Sequence, residues 1–156
     1  FVPPRTLDAT RCISYLTIEL RGPIPEALRE SMGELVYGCD ICQEVCPWNV
    51  RFAKDVTEPA LASRDGMDDP DLRQLLIQSD TEFRERFRKS AVKRTKRHGL
   101  ARNVAIAMGN KKDPDHIPAL RHTAVHDPDP VVRESARWAI ERIRRAGADE
   151  HVTSET

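Results

Sequence analysis

The sequence predicts a mainly α-helical fold, in which a short cysteine-containing module at residues 1–50 precedes a helical region at residues 81–145. Two observations support this prediction. All four cysteines of the 156-residue chain lie within its first 46 residues. From residue 83 onward, apolar residues recur every three or four positions and Asp-Pro pairs separate the runs. That pattern is typical of amphipathic helices joined by tight turns.

Three of the cysteines have the spacing of a ferredoxin. Cys39, Cys42 and Cys46 form a C-x₂-C-x₃-C-P run, which reproduces the last three ligands of the bacterial motif C-x₂-C-x₂-C-x₃-C-P. The first ligand of that motif would fall at position 36, where the chain has Val36. Cys12 is the candidate for the missing thiolate. The spacing therefore favours an iron–sulfur site over unliganded thiols.

The proline after Cys46 affects the ligand count. In two-cluster proteins the cysteine that precedes this proline binds the other cluster. Cys12, Cys39 and Cys42 would then remain for the local cluster, and both clusters would need cysteines from outside this chain. Because the chain also begins at Phe1 without a methionine, we expect it to be the C-terminal part of a longer protein.

A zinc site that uses all four cysteines is the alternative, and it would make the chain an RNA-binding helical module with a structural zinc. Structural zinc sites commonly use two C-x₂₋₄-C pairs, however, and Cys12 has no cysteine near it. The sequence shows no secretory signal and no run of 18 apolar residues. These absences predict a cytoplasmic protein without a membrane partner, where a reducing environment favours metal-bound thiolates over disulfides.

Within the cysteine module the pattern is mixed. Residues 13–18 are rich in β-branched and aromatic side chains, which suits a strand, although a helix through Leu20 is equally compatible. Pro25 is expected to open a short helix through Arg29. The connector at residues 51–80 is rich in Asp and Pro, and we expect a short helix in it from Asp71 to Gln78.

Four helices are predicted after the connector, and a flexible tail at residues 146–156. Asp113 is expected to cap the third helix, and Asp129 and Pro130 to open the fourth. Short helices with Asp-Pro turns favour a HEAT-like helical-repeat region, with an ordinary helical bundle as the alternative. The predicted buried faces contain Phe83, Phe87 and Ala91; Leu100, Val104, Ala107 and Met108; Ile117, Leu120, Ala124 and Val125; and Val132, Ala136, Ala139, Ile140 and Ile143.

Charge is balanced overall but segregated along the chain. The 25 basic and 25 acidic residues cancel, yet residues 55–82 carry a net charge of −6 and residues 84–112 a net charge of +10. The second stretch has eleven basic residues and one acid, Glu85. Such an excess is typical of a surface that binds a polyanion. The alternatives are a solvated helix face and a face that pairs with the acidic segment.

Several segments resemble the epoxyqueuosine reductase family. The cysteine module carries LDATRCISYLTIE at residues 7–19 and YGCDICQEVCPWN at residues 37–49. RHGLARNVAIAMGN at residues 97–110 and DPDPVVR at residues 127–133 resemble the family's C-terminal HEAT-like region. The cysteine block is specific, whereas HEAT-like repeats occur in many proteins. The family reduces an epoxide on the wobble base of certain tRNAs, the last step of queuosine synthesis.

The resemblance implies a cofactor set that this chain would hold only in part. Members use two [4Fe–4S] clusters and cobalamin, and the domain that binds cobalamin and supplies the proton donor would precede Phe1. Cys12, Cys39 and Cys42 would hold one cluster together with an upstream cysteine, and Cys46 would complete the other. The resemblance also implies tRNA and an electron-donor protein as partners, and a monomer. This chain alone, which offers no assignable catalytic residue, is expected to be inactive.

Further site residues follow from the same resemblance. Ser14 and Asp40 flank cysteines and are candidates for cobalamin contacts, with local caps as the alternative. Trp48 would either shield a cluster or pack in the core, and Asn103 would either cap a helix or contact RNA. A ferredoxin-like electron-transfer protein without its own substrate is the rival function. The candidates for contact with tRNA phosphates are Lys93, Arg94, Lys96, Arg97 and Arg102.

Overall fold

The computed structural model describes residues 6–54, 57–59, 67 and 69–153. The described residues form helices and loops without a β-strand, which confirms the mainly α-helical prediction. Predictions for Phe1, for parts of the connector and for the last three residues lie outside the described residues. The described α-helices are α1, Ile13–Ile18; α2, Glu26–Arg29; α3, Ile41–Glu44; α4, Pro47–Phe52; α5, Leu72–Ile77; α6, Asp80–Arg86; α7, Lys96–Lys111; α8, Ile117–His126; and α9, Pro130–Thr153.

The segment that suits a strand by composition is helix α1. Its β-branched Thr17 donates its hydroxyl to the Ile13 carbonyl at 2.8 Å, which keeps the polar group bonded within the helix. Leu16 is buried with Ile24, Met32 and Ile106 of α7 in a small apolar cluster. Burial of one face against α7 therefore outweighs the β propensity of the segment, because that propensity depends strongly on context.

The connector ends in two short capped helices. Asp71 caps α5 by accepting the amide hydrogen of Arg73, so the helix occupies the predicted segment. Ser79 and Glu82 form a reciprocal capping box at the start of α6. Helix α6 ends at Arg86, so Ala91 lies in a separate 3₁₀ turn, Ala91–Thr95, rather than on a continuous first helix.

Helices α7 and α9 run parallel, with a sequence offset of 30 residues. Arg97, near the start of α7, pairs with Asp127, just before α9. Gly109, twelve residues after Arg97, approaches Ala139, twelve residues after Asp127. Helix α8 packs against α9. A constant offset between alternate helices is what stacked helical repeats produce, although the HEAT-like assignment itself remains a prediction.

The main core lies between these helices. Asp129 accepts amide hydrogens from Val131 and Val132 and thereby caps α9, as predicted, and Asp113 caps the 3₁₀ turn Pro114–His116 that leads into α8. Helix α9 continues to Thr153, past the predicted end of the helical region at residue 145. Among the described residues, no helix is both long and apolar enough to cross a membrane. The fully buried core side chains include Leu76, Val104, Met108, Leu120, Val132, Ala136 and Ala139.

Gly109 provides a test of this packing. A Cβ atom at Gly109 would lie 2.8 Å from the Ala139 Cα and 2.9 Å from the Trp138 Cζ3. We expect Gly109→Ala to destabilise the chain by about 1–3 kcal/mol, because α7 and α9 would have to separate. Gly147→Ala is the matched control, since nothing lies within 4 Å of its Cβ position. It should stabilise the exposed helix by about 0.5–1 kcal/mol. Thermal unfolding of both variants measures this difference, and equal shifts would contradict the close approach.

Candidate metal centre

The four cysteines lie at the beginnings of three short helices. Cys12 is the N-cap of α1 and Cys46 is the N-cap of α4. Cys42 lies in α3, and Cys39 directly precedes Asp40, the N-cap of that helix. All four thiols are free, and each residue is at least partly exposed. The thiolate is the form of cysteine that binds metal, and none of these four residues is fully buried.

The loop that carries Cys39 is fixed from both sides. Gly38 has φ +75°, a left-handed conformation that glycine adopts without strain, and its amide donates to the Thr17 Oγ1 at 3.0 Å. The carbonyl of Val36 accepts from the Asn103 Nδ2 at 2.9 Å. The Val36 side chain packs against the main core. Val36 is therefore a packing residue, whereas a complete ferredoxin motif would have a cysteine ligand at this position.

The turn between α3 and α4 is fixed by its own side chains. Asn49 donates from its Nδ2 to the Gln43 carbonyl at 3.0 Å and to the Gln43 Oε1 at 2.9 Å. The amide of Cys46 donates to the same carbonyl at 3.3 Å. Pro47 occupies the first turn of α4, where its missing amide hydrogen leaves no unpaired donor. These bonds hold Cys42 and Cys46 in one compact corner.

The donor set fits iron–sulfur clusters better than a single metal ion. Thiolates are the usual ligands of [4Fe–4S] clusters, and all four candidates here are unpaired thiols near the surface. Among the described residues, no three His, Cys, Asp or Glu side chains come together so that they could hold one ion. A zinc site built by the four cysteines alone needs such convergence on one ion. The four exposed or half-buried thiols are therefore chemically suitable as cluster ligands.

Next to the cysteines lies an exposed apolar strip, formed by large side chains of α3, α4 and the turn between them. Trp48 is 70% exposed and stacks on Phe52, with ring centroids 5.6 Å apart. Trp48 is therefore not a core residue in the described part of the chain. The strip comprises the exposed side chains of Ile41, Val45, Trp48 and Phe52, and Val50 is exposed on the other side of α4.

Arg102, a predicted tRNA contact, is instead a buried anchor. Its guanidinium donates to the carbonyls of Leu16, Leu20 and Gly22 at 2.6–2.8 Å, and the residue is only 1% exposed. Burial lowers the pKa of Arg102 to about 10, so the side chain remains protonated at neutral pH. Carbonyls at and beyond the C-terminal end of α1, where the helix dipole is negative, stabilise its charge. Arg102 therefore does not belong to the phosphate-binding residues, contrary to the prediction.

Arg97 is also not available to phosphate. Its guanidinium forms two hydrogen bonds with the Asp127 carboxylate, at 2.8 and 2.9 Å, and both side chains are buried. The hydrogen bonds to Asp127 raise the pKa of Arg97. Removing one partner of such a buried pair typically costs about 3–5 kcal/mol, because the other charge is left uncompensated. Arg97 therefore joins the α7 N-terminus to the α8–α9 turn.

The other three predicted phosphate contacts are exposed. Lys93 and Arg94 lie in the 3₁₀ turn Ala91–Thr95, and Lys96 begins α7. Arg94 pairs with Glu19 at 2.7 Å but keeps 65% of its side chain exposed. Arg21, also exposed, donates to the Arg94 carbonyl at 2.8 Å. The described surface thus offers a basic patch, which we define as Arg21, Lys93, Arg94 and Lys96.

The remaining candidate residues lie near the cysteines or on α7. Asp40 is exposed, and its side chain makes no capping hydrogen bond to α3. Its side chain therefore does not act as a helix cap, which was the alternative to a cobalamin contact. Ser14 is half-buried in α1. His98, which is not one of the predicted site residues, is half-buried in α7, and burial lowers its pKa below the usual value. Asn103 is fully buried, which excludes direct RNA contact through its side chain in this conformation.

Comparison with known proteins first defines the class. Residues 1–49 match the family described as a 4Fe-4S double cluster binding domain. The cysteine module is thus of the class that binds two [4Fe–4S] clusters, in agreement with the thiol donor set.

The relatives then define the family. The chain is 39% identical to epoxyqueuosine reductase of Xanthomonas campestris. The matched region covers 89% of this chain and 39% of the length of that enzyme. It is 42% identical to the Escherichia coli K12 enzyme, over 94% of this chain and 38% of that protein. The chain belongs to the epoxyqueuosine reductase family. It spans about two-fifths of the length of these relatives.

Solved structures show the same fold. Epoxyqueuosine reductase from Bacillus subtilis matches with a TM-score of 0.82 and 37% identity, over 90% of this chain and 37% of that one. The crystal structure of an epoxyqueuosine reductase with a tRNA-Tyr epoxyqueuosine-modified tRNA stem loop matches with a TM-score of 0.82, at 36% identity and with the same coverage. The likeness therefore includes the helical region as well as the cysteine module.

Proposed function

We propose that this chain is the cluster-binding and tRNA-binding part of a cytoplasmic epoxyqueuosine reductase. The observation that carries the proposal is the agreement over nine-tenths of the chain, in sequence and in fold, with reductases of this name. The substrate would be epoxyqueuosine in tRNA, in keeping with the stem loop bound by one of the matched structures. Further partners would be an electron-donor protein and cobalamin, the latter held mainly by residues beyond this chain.

The cysteines would divide between two clusters. Cys12, Cys39 and Cys42 would hold one cluster with a cysteine from beyond the chain, and Cys46 would supply one ligand to the other. When bound, the clusters would supply single electrons at low potential, and reduction of an epoxide to an alkene and water consumes two electrons and two protons. This chain's residues hold the thiolates in place. Ser14 and Asp40 lie beside the ligands and remain candidates for contacts with the corrin.

The apolar strip would be covered by the rest of the reductase. An exposed stack of two aromatic rings beside a cluster ligand would otherwise leave apolar surface in water. The relatives are more than twice as long as this chain, so they have enough additional chain to cover the strip. Burial there would also exclude water from the cluster that Cys46 helps to hold.

The basic patch would bind the tRNA backbone. Lysine and arginine side chains that neutralise phosphates contribute affinity and orientation but no direct sequence readout. The patch lies beside the cysteine module because Arg21 follows α1, and the Arg94–Glu19 pair joins the two regions. Choice of the tRNA would then depend on other contacts.

Conversion of the modified base tests the proposal. A full-length reductase that contains this sequence should convert epoxyqueuosine to queuosine in tRNA under reducing anaerobic conditions with cobalamin, as measured by mass spectrometry of the nucleosides. Cys12→Ala should reduce conversion to background, because one cluster loses a ligand. A protein that shows reversible cluster reduction but neither conversion nor tRNA affinity would instead be a ferredoxin-like electron carrier.

A further inference from the structure

Two of the candidate ligands are 27 positions apart in sequence, and a buried polar network joins the segments that carry them. Cys12 opens α1, and Cys39 follows the irregular segment at residues 33–38. Thr17, five residues after Cys12, is fully buried. Its Oγ1 donates to the Ile13 carbonyl at 2.8 Å and accepts the Gly38 amide hydrogen at 3.0 Å. One hydroxyl therefore connects the helix of Cys12 to the residue that precedes Cys39.

Asn103 of α7 completes the connection. Its Nδ2 donates to the carbonyls of Thr17, at 2.8 Å, and Val36, at 2.9 Å. Its Oδ1 accepts from the Arg102 Nε and Nη2 at 3.0 and 2.9 Å. Because every polar group of the Asn103 side chain is bonded and the residue is fully buried, its orientation is fixed.

Thr95 contacts the same network without reaching the Cys39 loop. Its Oγ1 donates to the Thr17 carbonyl at 2.9 Å, and the residue is 2% exposed. It is thus a buried threonine that bonds to the same residue as Asn103 and Gly38. Its hydroxyl bonds only to the Cys12 side of the site. Replacing Thr95 therefore tests the effect of losing a buried hydroxyl without a change at the Cys39 loop.

We propose that Thr17 and Asn103 are positioning residues that set the relation between Cys12 and Cys39 and thereby the stability and potential of the cluster that these cysteines share. The proposal rests on the proposed function, since it assumes that both cysteines bind one cluster. Groups outside the first ligand sphere that orient ligands typically contribute about 10–100-fold in metal affinity. The helical region would then control the iron–sulfur site through α7, in addition to binding tRNA.

Thr17→Val, Thr17→Ser and Thr95→Val in the full-length reductase test the proposal. Thr17→Val removes the hydroxyl at nearly constant volume, and we expect about 10–100-fold faster loss of one cluster to an iron chelator. The electron paramagnetic resonance signal and midpoint potential of that cluster should change, while those of the Cys46 cluster should not. Thr17→Ser should restore the wild-type values. Thr95→Val should lower the melting temperature of the protein by about as much as Thr17→Val does. Unlike Thr17→Val, it should leave both clusters unchanged.

A metal-independent measurement accompanies these variants. In the full-length reductase depleted of iron, hydrogen exchange at the Gly38 amide should speed up in Thr17→Val and stay at the wild-type rate in Thr95→Val. Equal effects of Thr17→Val and Thr95→Val on the clusters, or equal loss of both clusters in Thr17→Val, would overturn the inference. Absence of iron from the wild-type full-length protein would contradict the proposed function instead, and the exchange rates would still report on the network.

Discussion

Replacement of Cys46 by alanine should remove a different cluster from the one that is lost when Cys39 is replaced. The two residues are only seven positions apart, with Cys39 before the start of α3 and Cys46 after its end. The proline after Cys46 marks the ligand that binds the other cluster in two-cluster proteins. Each variant of the full-length reductase should therefore keep about four of roughly eight irons, but the iron that remains should belong to different clusters.

Electron paramagnetic resonance of the reduced protein distinguishes the two clusters. Cys12→Ala, Cys39→Ala and Cys42→Ala should lose one common signal and keep the other, whereas Cys46→Ala should show the reverse. Serine variants at the same positions provide a control for the size of the side chain. If Cys39→Ala and Cys46→Ala lost the same signal and kept the same signal, the division of ligands would be wrong.

Loss of the basic patch should weaken binding of all tRNAs alike. Replacing Lys93, Arg94 and Lys96 by alanine removes three exposed charges that lie together at the start of α7. Because each neutralised phosphate releases counterions, the slope of log affinity against log salt should fall in magnitude by about two to three units. At low salt the affinity should fall by at least about 100-fold, and cluster content should stay constant.

A variant with the same change in charge provides the control. Arg121, Arg137 and Arg144 are exposed and lie outside the basic stretch of residues 84–112, so their joint replacement by alanine changes the net charge by the same amount. Filter binding over a salt series, with both triple variants, measures the difference. Identical slopes for the two variants would mean that Lys93, Arg94 and Lys96 form only a solvated face.

Most helix boundaries could be predicted from the sequence because they depend on local chemistry: Asp71, Asp113 and Asp129 cap their own helices or turns. The C-x₂-C-x₃-C-P spacing likewise predicts candidate ligands without reference to distant contacts, and that assignment stays a prediction. Helix α1 was ambiguous, because its stability depends on burial against α7 rather than on its composition.

The roles of the basic residues depended on long-range partners and could not be read from a count of charges. Arg97 pairs with a carboxylate 30 residues away, and Arg102 bonds to carbonyls at least 80 residues away. One signal was available in the sequence: between Gly99 and Gly109, Arg102 and Asn103 are the only polar residues in an apolar run. A polar pair within a buried helix must find partners, so this position indicates an anchor rather than a surface.

The four cysteines are proposed to complete two [4Fe–4S] clusters together with the rest of a reductase. The direct test is the iron, sulfide and zinc content of the full-length protein, purified without oxygen. We predict about eight irons and eight sulfides per chain and no stoichiometric zinc. One zinc per chain without sulfide would contradict the claim and would indicate a structural zinc site in an RNA-binding helical protein.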